Sequence, residues 1–353
     1  MSDAKIVLSD ADLQTLAQAA LQGQGMTPDD AASAARILVL ADLFGISTHG
    51  VDRIPAYASR MQVGGINPRP AISITAATPA ILRVDGDNGP GPLVGIRALQ
   101  ATMEAARLHG LAAAFVSGSN HFGPISPYSY IAASEGFAAI ICSNATTTIA
   151  PWGGQEAKLG NNPLGVSVPF AGGDALMLDM AMSVVARAKI RRAASNGDPI
   201  PSTWATDRNG RPTTDAATAL GGFLAPIGEH KGYGLALMVD LLAGLMSGGA
   251  YLTHVSSWLD APDKPQNLGH FFLLIDTKQL GVTQEWLATR MEDFTRIVRE
   301  TPPSDPDRPV LLPGEIEMER FRLQTSEGIG IPARLLETLK SLAAVDGTGG
   351  KAG

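Results

Sequence analysis

The chain has 353 residues, of which 45% are hydrophobic and 17% charged, a composition typical of a soluble globular protein with room for two or three domains. The formal net charge of -7, without any block of Lys and Arg, disfavours a nucleic-acid partner and an anionic membrane surface. The single cysteine, Cys142, excludes an intrachain disulfide and a cysteine-based zinc site.

The first 62 residues predict helices. Ser9 and Asp12 form a capping pair ahead of apolar residues at helical spacing. Thr27-Pro28 begins a second helix that runs to about Phe44, and a third helix follows with Pro55 in its first turn. The N-terminus does not read as a signal peptide and no apolar stretch is long enough for a bilayer, so we expect a cytoplasmic protein.

From residue 72 onward, short alternating or apolar strands are interleaved with helical patterns. The predicted strands are 72–74, 81–84, 112–116, 138–142, 166–168, 176–179 and 270–275. The predicted helices are 93–109, one ending near 135, 184–194, 232–246, 287–298 and 335–342. Strand–helix–strand order predicts crossover connections and an α/β fold.

The first candidate site is Ser47-Thr48-His49-Gly50-Val51-Asp52-Arg53. It places a hydroxyl beside an imidazole, with a guanidinium four residues further on. In a helical stretch His49 and Arg53 would share one face. An imidazole can exchange a hydroxyl proton and a guanidinium can bind a carboxylate with two hydrogen bonds, which suits a small hydroxy or keto acid. On spacing alone, a capped helix start with Arg53 in a surface ion pair is the commoner explanation.

Other polar stretches stand at predicted strand ends or helix starts, where ligands and anions bind in α/β sheets. They are Asn120-His121-Phe122-Gly123, Asn161-Asn162-Pro163, Asp179-Met180-Ala181-Met182-Ser183 and Lys231-Gly232. Each one alone is equally well or better explained as an ordinary turn or cap. Neither a Gly-x-Gly-x-x-Gly loop nor a Walker A sequence is present, which disfavours an ordinary Rossmann site. The histidines lack the spacing of a zinc site, so we expect no metal.

In this order, the stretches resemble the type-2 malate/L-lactate dehydrogenase family from about Ser9 to Leu342. That family includes ureidoglycolate and sulfolactate dehydrogenases, diketogulonate reductase and piperideine-2-carboxylate reductase. The resemblance implies an α/β fold with a non-Rossmann, NAD(P)-binding mixed sheet at 76–284. It also implies a helical domain built from both termini, residues 1–75 plus 285–353, and a homodimer with shared active sites.

The resemblance further implies hydride transfer between nicotinamide C4 and C2 of a small 2-hydroxy or 2-keto acid, with NAD or NADP as cofactor. By this analogy His49 is the proton donor and acceptor, Thr48 its hydroxyl partner and Arg53 the carboxylate clamp. Some members are described with the base at the position of His121. We prefer His49, because Arg53 lies next to it in sequence.

The remaining implied contacts fall into two groups. For the cofactor they are His121, Phe122, Gly123, Asp179, Met180, Ala181, Met182, Ser183, Lys231, Gly232, Pro313, Gly314 and Glu315. For the substrate they are Arg53, Tyr57, Asn161 and Asn162.

Two alternatives stay open. The first is NADPH-dependent reduction of a cyclic imine carboxylate, which is disfavoured by Lys189 in a region where the imine reductases place an acid. The second is a catalytically silent relative that binds a nucleotide or metabolite, against which the intact His49 and Arg53 argue. Met180 and Met182 depart from the small polar residues frequent at those positions in the family.

Overall fold

The N-terminal helices form where capping residues meet apolar periodicity. In the computed structural model, which describes residues 5–170 and 175–345, α1 spans Asp10–Gln22 and α2 spans Pro28–Leu43. The hydroxyls of Ser9 and Thr27 accept the backbone N–H groups three residues on, satisfying donors that the first helical turn leaves free. Helix α3 spans Ile54–Gln62. All three predicted helices are confirmed.

The later helices are more numerous than the sequence predicted, and most begin or end at other residues. They are α4 Gly91–His109, α5 Ser126–Ser134, α6 Arg187–Asn196, α7 Ala216–Leu220, α8 His230–Val239, α9 Gln284–Arg299, α10 Glu315–Glu327 and α11 Ala333–Ala343. A π-helical turn, Asp240–Leu245, continues α8. Helix α10 escaped prediction because its apolar residues do not form one stripe: Met318 is buried, whereas Ile316 and Leu323 are exposed.

The central sheet has seven strands in the order β2-β3-β4-β10-β5-β8-β9. Its strands are β2 Ser73–Thr78, β3 Ile81–Asp85, β4 Leu111–Ser119, β5 Phe137–Ser143, β8 Leu164–Pro169, β9 Ala175–Met180 and β10 Leu268–Asp276. Two small pairs lie outside this sheet: β1 Lys5–Leu8 with β11 Ile329–Pro332, and β6 Thr147–Ile149 with β7 Leu159–Gly160. The four strands of these pairs were not predicted.

The sheet is mixed because one distant strand enters its middle. Strands β3 and β4 are parallel neighbours joined by α4, which is the predicted crossover. Strand β10 is antiparallel to both β4 and β5 and separates them. Strands β4 and β5, joined by α5, are therefore parallel to each other without being neighbours. This arrangement differs from a doubly wound Rossmann sheet and confirms the expected mixed sheet.

The two ends of the chain pack together. Strand β1 pairs with β11 from Lys5 opposite Pro332 to Leu8 opposite Ile329. One apolar cluster joins α1, α2 and α3 to β11 and α11, and a second fills the space between the sheet and α4 and α5. A third cluster lies among residues 149–224. The helical part is thus built from both termini, while the domain boundaries given above stay a prediction. No helix in the described residues is long and apolar enough to cross a bilayer.

Candidate active site

The His49 stretch is not one helix but two single 3₁₀ turns, Ser47–His49 and Val51–Arg53, joined at Gly50. Beneath the joint lies Asp42, which is 3% exposed and whose Oδ2 accepts the Val51 N–H at 2.8 Å. A Cβ at Gly50 would overlap this carboxylate, so only glycine fits there. The joint therefore sets the relative placement of His49 and Arg53.

A second link crosses the two turns. The Nε–H of Arg53 donates to the carbonyl of Thr48 at 2.7 Å, and the Thr48 hydroxyl lies 3.0 Å from His49 Nδ1. Within the described residues, no other hydrogen bond occupies His49 Nε2 or the terminal Nη1 and Nη2 of Arg53. The Nε2 atom of His49 can thus exchange a proton with a ligand, and the Nη1 and Nη2 atoms of Arg53 can donate hydrogen bonds to it.

The second predicted histidine meets the first in space. His121 follows β4, and its ring stacks on that of His49 with centroids 5.5 Å apart and an interplanar angle of 22°. Its Nδ1 lies 2.8 Å from the hydroxyl of Tyr57 on α3. Tyr57 is only 1% exposed, so the structure commits its hydroxyl to His121, whereas the sequence assigned it to the substrate. Each imidazole thus has Nδ1 beside a hydroxyl and Nε2 without a partner in the described chain.

Burial favours the neutral form of both imidazoles. Burial, aided by the charge of Arg53, lowers the pKa of His49 to about 4. Burial lowers the pKa of His121 well below its usual value; a proton on His49 would lower it further, and the charge of Arg53 acts in the same direction. At neutral pH either ring can accept a proton, as a general base must.

The floor beneath His121 is a buried polar and aromatic layer. His270 on β10 lies 2.9 Å from the Ser143 hydroxyl and 2.7 Å from that of Ser119, which ties three central strands together. The ring of Phe122 packs on His270 at 4.1 Å and on Tyr128 at 4.2 Å. The Phe122 side chain, which the sequence assigned to the cofactor, therefore belongs to this floor.

The other predicted stretches converge on one rim at the end of β9. The carboxylate of Asp179 accepts the backbone N–H groups of Ile125 and Ser126, both at 2.8 Å, and the Ser126 hydroxyl at 2.6 Å. These bonds tie the end of β9 to the segment that follows His121. Further along, Met182 N–H donates to the Asn161 carbonyl at 2.7 Å, and Ile227 N–H donates to the Met182 carbonyl at 2.9 Å.

Several side chains of this rim hold the protein together. Asp179 is taken up by the start of α5, and Met182 is fully buried. Asn162 accepts the Ala145 N–H at 3.0 Å and donates to the Ala236 carbonyl at 2.8 Å. Ser183 donates to the carbonyl of Val185 at 3.0 Å, the residue two positions on. Asp179, Asn162, Met182 and Ser183 therefore build the rim with their side chains instead of presenting them to open space.

The predicted loop Pro313-Gly314-Glu315 lies along the outer edge of β9. The Pro313 carbonyl accepts the Met177 N–H at 3.1 Å, which is about 10 Å along the strand from Met180. The carboxylate of Glu315 accepts the Leu312 N–H at 2.7 Å and pairs with Arg299. A cavity of about 530 Å³ lies beside this loop, lined in part by Leu176, Arg299 and Glu315.

The rim also offers groups that fit a dinucleotide. Lys231 is exposed in the first turn of α8, where its charge and the helix dipole favour a diphosphate. Gly123 has φ +83°, and a Cβ there would meet no atom within 4 Å, so its backbone faces open space. Asn161 is half-buried and its side chain makes no hydrogen bond in the part of the chain described. Residues 5–170 and 175–345 contain no group of three side chains suited to a metal ion.

Three residues near the histidines were missed by sequence reasoning. Asp42 could have been found, because it is an acid inside the apolar pattern of α2. Trp258 packs 5.7 Å from the ring of His121 and 5.9 Å from that of Tyr57, and Arg60 lies over its indole at 4.6 Å. Trp258 is too far from these partners in sequence for any local pattern to connect them.

Comparison with known proteins places this arrangement in a family. The Malate/L-lactate dehydrogenase family profile matches residues 8–340, so the chain belongs to this family. It is 35% identical to the malate dehydrogenase of Pyrococcus abyssi, over 90% of this chain and 89% of that one. It is 32% identical to the (2R)-3-sulfolactate dehydrogenase (NADP(+)) of Chromohalobacter salexigens (96% and 98%) and to the ureidoglycolate dehydrogenase (NAD(+)) of Escherichia coli (87% and 87%).

Solved structures agree with this assignment. The sulfolactate dehydrogenase from Methanocaldococcus jannaschii superposes with a TM-score of 0.88 at 31% identity, covering 96% of each chain. The delta1-piperideine-2-carboxylate reductase from Pseudomonas syringae gives a TM-score of 0.86 at 28% identity, covering 96% of this chain and 99% of that one. The chain is thus an oxidoreductase of the NAD(P)-dependent hydroxy-acid dehydrogenase kind, as the sequence predicted.

Proposed function

We propose that the protein catalyses reversible hydride transfer between C4 of a nicotinamide cofactor and C2 of a small 2-hydroxy or 2-keto acid. The observation that carries the proposal is the pair of neutral imidazoles with unpartnered Nε2 atoms beside the end-on guanidinium of Arg53. Membership of the malate/L-lactate dehydrogenase family supports it.

His49 is the proton-exchanging group. With its Nδ1–H donated to the Thr48 hydroxyl, its Nε2 accepts the proton of the substrate hydroxyl as the C2 hydride leaves. In the opposite direction the protonated ring returns that proton to the oxygen on C2. His121, oriented by Tyr57, packs against His49 and is the alternative proton acceptor.

Arg53 positions the substrate. Its Nη1 and Nη2 bind the carboxylate, while its Nε stays on the Thr48 carbonyl, the same residue whose hydroxyl holds His49. The carboxylate and the reacting hydroxyl are therefore placed by one short stretch of backbone. Orientation of this kind contributes up to about 7–11 kcal/mol to lowering a barrier.

The cofactor supplies the hydride acceptor and donor when it is bound. Lys231 and Gly232 at the start of α8 are suited to its diphosphate, and the backbone of His121–Gly123 and of Met180–Ser183 forms the rim between that helix and the histidines. Asn161 is suited to a polar group of the substrate or the nicotinamide amide. The loop Pro313–Glu315 lies along the outer edge of β9, next to this rim. NAD and NADP both remain candidates, since the relatives named above include one of each.

A second candidate function is reduction of a cyclic imine carboxylate. It is favoured by the superposition on the piperideine-2-carboxylate reductase. It is disfavoured by Lys189, an exposed lysine on α6, because the family resemblance implies that the imine reductases place an acid in this region. A silent nucleotide-binding relative is the third candidate.

The proposal includes a homodimer. Ile140, Val166 and Leu178 lie directly opposite one another on β5, β8 and β9, and all three are exposed. The outer side of α8 and of the π-helical turn is also apolar and exposed, through Leu235, Met238, Leu241 and Leu245. An uncovered apolar surface of this kind fits a second copy of the chain. A cytoplasmic location stays a prediction.

The test is nicotinamide absorbance while the purified protein meets NADH and then NADPH with a panel of 2-keto acids and cyclic imine carboxylates. Loss of absorbance with a keto acid is expected, and it identifies the cofactor as well. Loss with an imine alone would replace the proposal by the second candidate. Cofactor binding without turnover of any compound would favour the silent relative.

A further inference from the structure

Arg60 on α3 is a buried arginine that binds no acid within the described residues. It is 2% exposed, and its guanidinium donates to the carbonyls of Trp258 at 3.1 Å, Ala261 at 3.3 Å and Lys264 at 2.6 Å. Burying a cation costs free energy unless acceptors surround it. Here the acceptors all come from residues 256–264, which we call the tryptophan segment. Arg60 thus fastens this segment to α3.

Further contacts fix the tryptophan segment, although it contains neither helix nor strand. A Cβ at Gly65, just after α3, would overlap the carbonyl of Pro262, so the two backbones touch. Inside the segment, the Ser257 hydroxyl donates to Asp260 at 2.6 Å and accepts the Asp260 N–H at 3.1 Å. Gln266 donates to the Ser256 carbonyl at 3.3 Å. The segment therefore has one defined position against α3.

That position sets an indole ring against the imidazole of His121. The Trp258 ring meets Tyr57 edge-on at 75° and His121 at 60°, and the Arg60 guanidinium lies over its face at 4.6 Å. His121 in turn stacks on His49. Trp258 is half-buried, so part of the ring is open. The side of the site beyond His121 is therefore an aromatic wall.

The charges around the wall are unevenly distributed. Arg53 is the cation whose field reaches His49, Tyr57 and His121. The second guanidinium, that of Arg60, donates its hydrogen bonds to backbone carbonyl groups. The guanidinium of Arg53 can therefore bind one carboxylate, the one next to C2 of the substrate. A second anionic group on the substrate would lose its hydration against the aromatic rings of Trp258 and His121.

We propose that Trp258, held by Arg60, selects the substituent on C3 of the substrate and favours a hydrocarbon or aromatic group over a second carboxylate or a sulfonate. The inference rests on the proposed hydride transfer at C2. It gives this chain a different substrate class from the malate and sulfolactate dehydrogenases that it resembles.

The test compares kcat/KM for 4-methyl-2-oxopentanoate and phenylpyruvate with that for oxaloacetate and sulfopyruvate. The wild-type protein should prefer the first pair by about 10-fold or more, the scale of discrimination that a hydrophobic pocket provides. Trp258→Ala should lower kcat/KM for the first pair about 10-fold by raising KM. It should change kcat/KM for oxaloacetate by less than about threefold. In Arg60→Lys the lysine cannot donate to all three carbonyls, so kcat/KM for the first pair should also fall.

Matched controls come from α9, where Arg290 lies 4.9 Å from the ring of Trp286. Trp286→Ala and Arg290→Lys each disrupt an arginine–tryptophan contact that is not part of the histidine cluster. Both variants should leave the ratio of kcat/KM between the two substrate pairs unchanged. If Trp258→Ala does not fold, Trp258→Phe keeps an aromatic ring and should shift the ratio in the same direction by less.

The possible outcomes separate the two proposals. A wild-type preference for oxaloacetate or sulfopyruvate, or an equal loss for every substrate in the Trp258 variants, would overturn the role of Trp258 and leave hydride transfer intact. Failure of every keto acid to oxidise NADH or NADPH would overturn the proposed function and this inference with it.

Discussion

The two histidine segments reach the same local arrangement by different routes. His49 has its Nδ1 beside the hydroxyl of Thr48, its neighbour in the chain. His121 has its Nδ1 beside the hydroxyl of Tyr57, 64 residues earlier. The first arrangement is built within one turn, whereas the second exists only after α3 has packed against the end of β4.

The surroundings of the two rings differ as well. His49 lies next to Arg53, whose terminal nitrogens are available to a substrate carboxylate. His121 is enclosed by the rings of His49, Tyr57 and Trp258. We infer that the two histidines have different roles: His49 exchanges the proton, and His121 holds the His49 ring in place by packing on it. The following predictions test these roles.

The largest effect is expected from His49→Ala. Loss of the general acid–base group should lower kcat by about 10²–10⁴-fold, with the cofactor dissociation constant nearly unchanged. His121→Ala should lower kcat by less. The control is His109→Ala, an exposed histidine at the end of α4. A larger loss of kcat in His121→Ala than in His49→Ala would reverse the two roles.

Arg53→Lys should come next. Lysine cannot keep one nitrogen on the Thr48 carbonyl and present two others to a carboxylate, so KM for the acid should rise about 10–100-fold, the equivalent of one or two charge-assisted hydrogen bonds. Arg69→Lys is a matched control, because Arg69 also donates its Nε–H to a carbonyl, that of Gly25, at 2.7 Å. An unchanged KM in Arg53→Lys would remove Arg53 from the substrate site.

Tyr57→Phe tests the support given to His121. Loss of one neutral hydrogen bond should lower kcat about fivefold while leaving KM for the acid nearly constant. The control is Tyr130→Phe, since Tyr130 packs on Phe44 and Phe321 and lies away from the histidines. If kcat is the same in both variants, the orientation of His121 does not affect the reaction.

Asp42→Asn should have the smallest effect on activity and a measurable one on stability. Burial raises the pKa of Asp42 to about 7 in the folded chain, from 3.8. The folded protein therefore holds this proton more tightly than the unfolded one, and stability from this group is lost as pH rises from about 4 to 7. Asparagine stays neutral and keeps an oxygen for the Val51 N–H.

The Tm of Asp42→Asn should accordingly exceed that of the wild type by about 1–3 °C at pH 8 and converge with it near pH 4. Turnover should stay within about threefold of the wild type, because the joint at Gly50 keeps its acceptor. The exposed residue Asp307 provides the control variant Asp307→Asn, expected to change the free energy of unfolding by less than about 0.5 kcal/mol. A Tm difference that does not vary with pH would contradict the raised pKa of Asp42.

Much of the fold was predictable because its signals are local. The caps Ser9 and Thr27, the turn glycines and the apolar strands each act within a few residues. The insertion of β10 between β4 and β5, and the pairing of β1 with β11, were not predictable. Both join segments more than 100 residues apart, and no local pattern encodes such a partner.

The sequence by itself determined the chemistry of the His49 stretch, since Thr48, His49, Gly50 and Arg53 are neighbours whose contacts need only one or two turns of backbone. Tertiary structure decided everything that surrounds this stretch. It stacked His121 on His49, buried Asp42 under Gly50, turned Asp179 and Asn162 inward as supports and packed the edge of Trp258 against His121. The physical reason is that burial and the approach of distant side chains set which groups remain free to bind, and both depend on how the whole chain packs.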